Sequence, residues 1–316
     1  MISKRRSFIT GIKGKKLSKK EVIFLKKYKP WGVILFSRNI STITQTQKLT
    51  SDIKKIFNDK NYPILIDEEG GRVSRLNKFI DNSIFSAEFF GNIYKNNKKK
   101  FFIYYDIYIK QISYLLHLLG ININNVPVLD VCRKETHKVI GNRSFSSDPY
   151  LVSKLGKICI NKFHENKIAT VIKHIPGHGL SKFDTHKNLP IVRENISYLN
   201  KVDFYPFKKQ KSLLAMTAHI IFSSIDEKNT ATHSTKVINI IKKKIGFKNL
   251  IMSDDISMRA LKFSISKNTT KAFNAGCDLV LHCNGKYNEM LIVAKNSPLL
   301  NTFVKKKTSQ LLNIIR

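Results

Sequence analysis

The feature that most constrains the fold is a regular alternation of short apolar runs with longer amphipathic segments. The apolar runs have the length and composition of strands that are buried on both faces, which is typical of parallel sheets. Parallel strands need crossover connections, and the intervening segments are long enough to supply helices. The predicted strands are 7–12, 32–36, 63–67, 122–130, 169–174, 214–219, 250–254 and 278–282.

The intervening segments space their apolar residues as amphipathic helices do. Helices are predicted at 18–28, 42–58, 148–165, 196–209, 234–244 and 257–274, and within 86–119 and 287–316. Eight strand-helix units predict an α/β protein, a single-domain (β/α)8 TIM-type barrel that spans residues 1–316 with no second domain. An open, doubly wound sheet is the alternative, because the same alternation permits it and closure leaves no mark in a sequence.

Polar residues recur at the C-terminal ends of the predicted strands. In a (β/α)8 barrel these ends meet at one face, and that face carries the active site. The residues at these positions are Asp67, Asp130, Lys173, His174, His219, Asp254, Asp255 and His282. Their shared position predicts a polar cluster at one mouth of the barrel.

The segment 173–190, KHIPGHGLSKFDTHKNLP, combines a strand end with a loop rich in functional side chains. Asp184 and His186 are one residue apart, and an extended loop points both side chains in the same direction. An imidazole titrates near neutral pH, and a neighbouring carboxylate fixes its tautomer and raises its basicity. The pair is therefore a candidate for general acid and base catalysis. The alternative is an Asp that caps a turn beside a surface His.

The segment 251–258, IMSDDISM, carries a predicted strand into two consecutive carboxylates. Successive side chains on a strand point to opposite sides, so we expect only one of the two to face the barrel mouth. Asp255 is expected to cap the following helix. Asp254 is then the candidate nucleophile, because a desolvated carboxylate can attack an electrophilic carbon.

Two loops carry arginines that suit a polar ligand. In DEEGGRVSRL, Asp67 is followed by Arg75, and a carboxylate with a guanidinium fits a polyol. In IGNRSFSSDP, Arg143 lies in a loop and is a candidate for ligand contact, whereas Asp148 before Pro149 is expected to begin a helix.

The net charge of +34, from 56 basic and 22 acidic residues, raises the question of a polyanionic partner. The lysines are scattered, however, and no helix-turn-helix, zinc-finger or RNA-binding signature accompanies them. We therefore expect solvated lysines and no specific nucleic-acid partner.

Cysteine usage and hydropathy indicate the compartment. Cys132, Cys159, Cys277 and Cys283 form no C-x-x-C pair, so neither a metal site nor a disulfide framework is expected. No apolar run approaches the roughly 20 residues of a membrane helix. The expectation is a cytoplasmic protein that does not span a membrane.

Taken together, the motifs resemble those of a known family. KHIPGHG with DTH, IDEEGGRVSRL, VIGNRSFSSDP, AMTAH, IGFKNLIMSDDISM and AFNAGCDLVL resemble the bacterial β-N-acetylglucosaminidases of glycoside hydrolase family 3, the NagZ type. The resemblance extends from residue 32 to residue 283.

This resemblance implies a retaining glycosidase that removes terminal, non-reducing β-linked N-acetylglucosamine. The nucleophile of the family falls on Asp254, the general acid/base on His186 and its assisting carboxylate on Asp184. The sugar-binding positions fall on Asp67, Arg75, Arg143, Lys173 and His174. The implied substrate is an N-acetylglucosaminyl anhydro-muropeptide of peptidoglycan recycling. Neither a metal nor an organic cofactor is implied, and a monomer is expected.

The sequence departs from the family pattern at a few positions beside these residues. Asn142 replaces an Asp, Ser146 and Ser147 follow R-S-F where a Gly is common, and Leu180 and Ser181 alter the segment after PGHG. Two other activities stay open: a phosphorylase on the same scaffold, and a barrel protein that binds a sugar or a polyanion without catalysis.

Overall fold

Eight parallel strands close into a barrel, so the expected (β/α)8 architecture is confirmed and the open sheet is wrong. The computed structural model describes residues 4–134, 136–138, 140–181 and 189–316. Its strands are β1 (Arg6–Gly11), β2 (Pro30–Leu35), β3 (Ile64–Ile66), β4 (Ile123–Asn124), β5 (Ala169–Ile175), β6 (Ile191–Val192), β7 (Leu214–Thr217), β8 (Ile221–Phe222), β9 (Leu250–Asp255) and β10 (Leu279–His282). The barrel closes because β1 pairs with β2 on one side and with β10 on the other.

Helices alternate with the barrel strands and cover the outside of the sheet. They are α1 (Lys19–Tyr28), α2 (Ile43–Phe57), α3 (Ala87–Asn96), α4 (Lys98–Leu118), α5 (Pro149–Glu165), α6 (Ile196–Lys201), α7 (Thr235–Ile240), α8 (Ile265–Ala275), α9 (Tyr287–Asn296) and α10 (Thr302–Ile314). Asp148 is the N-cap of α5 and accepts a hydrogen bond from the Tyr150 amide at 2.9 Å, as the sequence predicted.

Several element boundaries differ from the sequence prediction for local reasons. The strand predicted at 122–130 forms a regular ladder only over Ile123–Asn124, because Pro127 has no amide hydrogen to continue it. A single bridge between Val128 and Lys173 follows after this proline. The helix predicted at 196–209 ends at Lys201, before a short 3-10 turn that contains Pro206. The helix predicted at 257–274 begins only at Ile265, where Ser264 supplies the N-cap.

Two apolar layers hold the barrel together. One lies between the strands and the outer helices, and the other fills the barrel interior with side chains such as Ile34, Leu65 and Met252. The interior layer continues into α10, which closes the N-terminal end of the barrel. There the indole nitrogen of Trp31 donates to the Thr308 hydroxyl at 2.8 Å. This closure leaves the C-terminal ends of the strands as the open mouth.

Candidate active site

A polar cavity of about 210 Å³ lies at the C-terminal mouth of the barrel. This volume is below the roughly 300–1,000 Å³ of pockets for drug-sized ligands, and it suits a single small ring. Six of the predicted site residues line it, namely Asp67, Arg75, Arg143, Lys173, His174 and Asp254. Phe36, Met216, Met258 and Leu281 add apolar surface. Polar groups with a few apolar faces fit the hydroxyls and the C–H faces of a sugar.

Lys173 joins two carboxylates at the floor of the cavity. Its ammonium lies 2.8 Å from Asp67 Oδ1 and 2.6 Å from Glu69 Oε1, and the side chain is only 2% exposed. Arg143 donates two parallel hydrogen bonds to the same Glu69 carboxylate, from Nε to Oε2 at 2.7 Å and from Nη2 to Oε1 at 2.8 Å. Glu69 therefore fixes both cations, and Asp67 keeps its second oxygen toward Arg75, at 4.0 Å from Nη2.

The pKa values of this cluster follow from its charges. Burial alone raises the pKa of Glu69, but the Arg143 guanidinium and the Lys173 ammonium outweigh burial and hold it below its ordinary value. Burial also opposes ionisation of Asp67, and Lys173 and Arg75 lower its pKa. Conversely, Asp67 and Glu69 raise the pKa of Lys173 against the effect of burial. All three groups are charged at neutral pH.

The segment after β3 turns sharply to deliver Arg75 to the cavity. Gly70 and Gly71 adopt φ of +78° and +58°, and a Cβ on Gly70 would lie 2.2 Å from the Phe85 carbonyl oxygen. Glu68, which is 1% exposed, accepts hydrogen bonds from the backbone amides of Arg75 at 2.7 Å and Leu76 at 3.1 Å. This carboxylate therefore holds the turn that carries Arg75.

Asp254 is the penultimate residue of β9 and lies half-buried at the rim of the cavity. One oxygen, Oδ1, accepts the backbone amide of Asp255 at 2.7 Å. Burial raises the pKa of Asp254, but His219, His174, that amide and Lys173 lower it below its ordinary value. An ionised, partly desolvated carboxylate beside an open cavity has the properties of a nucleophile.

Asp255 departs from the prediction made for it. It is the last residue of β9 and also lines the cavity, so the expectation that only one of the two residues reaches the mouth is wrong. Hydrogen bonds from Ser257 and Cys283 hold its side chain there. Its carboxylate binds the Ser257 amide at 3.0 Å and hydroxyl at 2.8 Å, and the Cys283 amide at 3.2 Å. It therefore caps a turn rather than a helix, and it ties the end of β9 to the segment after β10.

His219, which follows the neighbouring strand β7, holds the backbone at the end of β9. Its Nε2 donates to the Asp255 carbonyl oxygen at 3.0 Å, and its Nδ1 lies 2.7 Å from the Thr232 hydroxyl. A carbonyl can only accept, so the proton is on Nε2 and the hydroxyl donates to Nδ1. Burial lowers the pKa of His219, so this arrangement holds at neutral pH.

The loop after β5 is anchored by a carboxylate from the strand-end segment after β4. Asp130 is fully buried and accepts His174 Nδ1 at 2.6 Å on Oδ2, and the backbone amides of His174 at 3.2 Å and His178 at 2.7 Å on Oδ1. Burial raises the pKa of Asp130, but the nearby imidazoles and the His174 hydrogen bonds lower it. Burial lowers the pKa of His178 to about 4. Asp184 and His186, farther along this loop, lie outside the described residues.

His282, another polar residue at a strand end, lies away from the cavity. His282 is fully buried outside the cavity, with its Nε2 3.1 Å from Glu289 Oε2 on α9. Glu69, Asp130 and His178 belong to the site, although the sequence patterns assigned them no role in binding. Asp130 could have been identified from its position at a predicted strand end, and His178 from its position in the PGHG loop. For Glu69 the only signal was its place two residues after Asp67.

Two features are absent from the described residues. No group of three or more His, Cys, Asp or Glu side chains in the described ranges is arranged to hold a metal ion. Within the same ranges, no helix has both the length and the apolar character needed to cross a membrane.

Comparison with known families decides the classification. The model of the glycosyl hydrolase family 3 N terminal domain matches residues 6–314. This chain belongs to glycoside hydrolase family 3. It is 33% identical over 262 residues to the beta-hexosaminidase of Hydrogenovibrio crunogenus (strain DSM 25203 / XCL-2), a match that covers 80% of this chain and 71% of the relative.

Solved structures of this family agree with the fold. NagZ from Neisseria gonorrhoeae in complex with N-trifluoroacetyl-D-glucosamine superposes with a TM-score of 0.84 at 28% identity, covering 97% of this chain and 90% of that one. A glycoside hydrolase family 3 beta-N-acetylglucosaminidase from Paenibacillus sp. str. FPU-7 superposes with a TM-score of 0.83 at 25% identity, and here the match spans only 60% of the longer chain. The protein is a glycoside hydrolase, and the resemblance noted in the sequence is confirmed.

Substitution of Lys173 by Met should destabilise the fold in a pH-dependent manner. The change leaves Asp67 and Glu69 buried without their shared cation, and breaking a buried pair costs about 3–5 kcal/mol. Lys173 lowers the pKa of both carboxylates, so its removal raises both values. The loss in free energy of unfolding should therefore be largest at pH 7 and should shrink as the pH falls to about 5 and the variant takes up protons.

Urea unfolding of the wild type and Lys173→Met at both pH values measures this effect. Lys162→Met is the matched control, because Lys162 contacts Asp106 and Glu165 at a partly exposed site where such a pair is worth about 0.2–1 kcal/mol. Equal losses for the two variants at pH 7 would contradict the assigned role of Lys173.

Proposed function

We propose that this protein is a retaining exo-β-N-acetylglucosaminidase that hydrolyses terminal, non-reducing β-linked N-acetylglucosamine through a glycosyl-enzyme on Asp254. The observation that carries the proposal is the position of Asp254. Its carboxylate lies at the rim of a cavity whose floor holds the buried cluster of Lys173, Asp67 and Glu69. A sugar ring held by that floor would present its anomeric carbon to the rim.

The relatives support the choice of sugar. The curated relative described above is a beta-hexosaminidase, and the matching NagZ structure contains N-trifluoroacetyl-D-glucosamine. The polar residues of the cavity suit a polyol, since Asp67 has an oxygen left to accept from hydroxyls, and Arg75 and His174 are within the same lining. These contacts make Asp67, Arg75, Arg143, Lys173 and His174 the proposed sugar-binding residues.

The proposed reaction has two displacements. In the first, an Asp254 oxygen forms a bond to the anomeric carbon while the glycosidic bond breaks and His186 gives its proton to the leaving oxygen. In the second, neutral His186 takes a proton from water as the water oxygen attacks the same carbon and Asp254 departs as a carboxylate. Asp184 would hold the His186 tautomer through both steps.

The physiological proposal is cytoplasmic peptidoglycan recycling. The substrate would be N-acetylglucosaminyl anhydro-muropeptide, processed by a monomeric enzyme that needs no metal or cofactor. Support comes from the NagZ likeness, which spans nearly the whole of both chains.

Product analysis tests this proposal directly. Purified protein is incubated with N-acetylglucosaminyl anhydro-muropeptide in the presence and absence of phosphate, and the released sugar is identified. Free N-acetylglucosamine in both conditions is the expected result. N-acetylglucosamine-1-phosphate would identify a phosphorylase instead. Hydrolysis is the expected reaction because Lys173 and Arg143 already form ion pairs with carboxylates and are therefore poor phosphate ligands. Sugar binding without any release would identify a non-catalytic protein.

Replacement of Asp254 by Asn should abolish turnover while the fold is kept. The amide oxygen can still accept the Asp255 amide, but the side chain no longer has a charged oxygen to attack with. We expect kcat on an aryl N-acetyl-β-glucosaminide to fall by at least about 10³-fold. Asp254→Ala should lose as much, and residual activity within tenfold of wild type in either variant would move the nucleophile elsewhere.

Replacement of His186 by Ala should affect substrates according to their leaving groups. General acid catalysis contributes about 10²–10⁴-fold when the leaving oxygen is a poor leaving group, and little when it is an activated phenol. We therefore expect a much larger loss in kcat on a disaccharide than on a nitrophenyl glycoside. Equal losses on both substrates would show that His186 shapes the pocket without transferring a proton.

A further inference from the structure

We infer that Asp130 is the positioning residue that fixes the tautomer of His174 and thereby decides which hydrogen-bonding group His174 presents to the sugar. This inference rests on the proposed function, because it assigns to His174 a contact with the bound sugar. Asp130 itself does not line the cavity, so it would act only through its neighbours.

The two oxygens of Asp130 have different partners. Oδ1 accepts two backbone amides, those of His174 at 3.2 Å and His178 at 2.7 Å. Oδ2 lies 2.6 Å from His174 Nδ1. The side chain is fully buried, so no water competes for these positions. One oxygen therefore holds the backbone of the loop, and the other holds the imidazole ring.

The chemistry of the partners determines the proton. An ionised carboxylate only accepts hydrogen bonds, so His174 must carry a proton on Nδ1. The opposite nitrogen, Nε2, is then left for the cavity that His174 lines, as an acceptor when the ring is neutral. A sugar hydroxyl can donate to that nitrogen. The outer partner of an imidazole sets its tautomer in the same way in metal sites and catalytic triads.

An amide at position 130 would reverse this assignment without breaking the backbone contacts. In Asp130→Asn the amide oxygen must remain at the Oδ1 position, because an NH2 group there would face two N–H donors. The NH2 group then occupies the Oδ2 position and faces His174 Nδ1. Nδ1 becomes an acceptor, the proton moves to Nε2, and the group that faces the sugar changes from acceptor to donor.

The first measurement reads the tautomer directly and needs no substrate. The protein is labelled with ¹⁵N-histidine, and long-range ¹H–¹⁵N spectra report the protonated nitrogen of His174, assigned through His174→Ala. The expected result is a proton on Nδ1 in the wild type and on Nε2 in Asp130→Asn. Asp203→Asn is the matched control, because it removes a buried carboxylate that packs against Gly177 of the same loop and forms its ion pair with Arg133. His174 should keep its proton on Nδ1 in that variant.

The second measurement separates positioning from folding. We expect Asp130→Asn to lower kcat/KM about 10- to 100-fold. Removal of the hydrogen-bond partner of a metal-bound histidine lowers activity or metal affinity by a similar factor. The loss should be equal on aryl glycosides and disaccharides, since His174 contacts the sugar and not the leaving group. In the His174→Ala background the same change should cost less than about twofold, because the residue acts through the imidazole. The urea midpoint of Asp130→Asn should stay close to that of the wild type.

Two results would overturn the inference. One is a His174 proton that stays on Nδ1 in Asp130→Asn. The other is an Asp130→Asn penalty that is just as large in the His174→Ala background. A wild-type protein that releases no N-acetylglucosamine would instead refute the proposed function, and the spectra would still decide the tautomer.

Discussion

The buried contact of Lys173 with Asp67 and Glu69 is the interaction on which the site depends. It links the end of β3 to the end of β5, two strands that are not neighbours in the barrel, since β4 lies between them. A lone charge at this depth would be strongly disfavoured, so the three groups are stable only together. Because Glu69 also grips Arg143, this one cluster positions the floor of the cavity.

The rim of the cavity is held by hydrogen bonds rather than by ion pairs. Asp254 is positioned through contacts made by the neighbouring residue Asp255 rather than through a salt bridge of its own among the described residues. His219 binds the Asp255 carbonyl oxygen, and the Asp255 carboxylate binds the Cys283 amide from the end of β10. The Asp254 carboxylate is thus fixed in place while one oxygen is left without a strong partner among the described residues. This is what a nucleophile requires, since a fully paired carboxylate would be a poor one.

Ion pairs and hydrogen bonds to buried carboxylates have separate roles in the site. The floor uses charges, which hold hydroxyl-binding groups rigid and ionised at neutral pH. The loop after β5 uses Asp130 as a shared acceptor for two amides and one imidazole. The turn after β3 uses Glu68 in the same way to carry Arg75. Because these groups are already held in position, little free energy is spent on reorienting them when a substrate binds.

The sequence alone determined the alternation of eight strands with helices and six of the residues that line the cavity, because both follow from local patterns. Strand and helix periodicity repeats over short windows, and Asp67, Lys173 and Asp254 stand at strand ends that a barrel brings together. Tertiary structure alone decided that the sheet closes, that Glu69 serves two cations, and that Asp130 holds His174. Those contacts join residues far apart in the chain, such as Glu69 with Arg143, and their distances depend on the packing of whole strands. Local pattern carries no information about such distances.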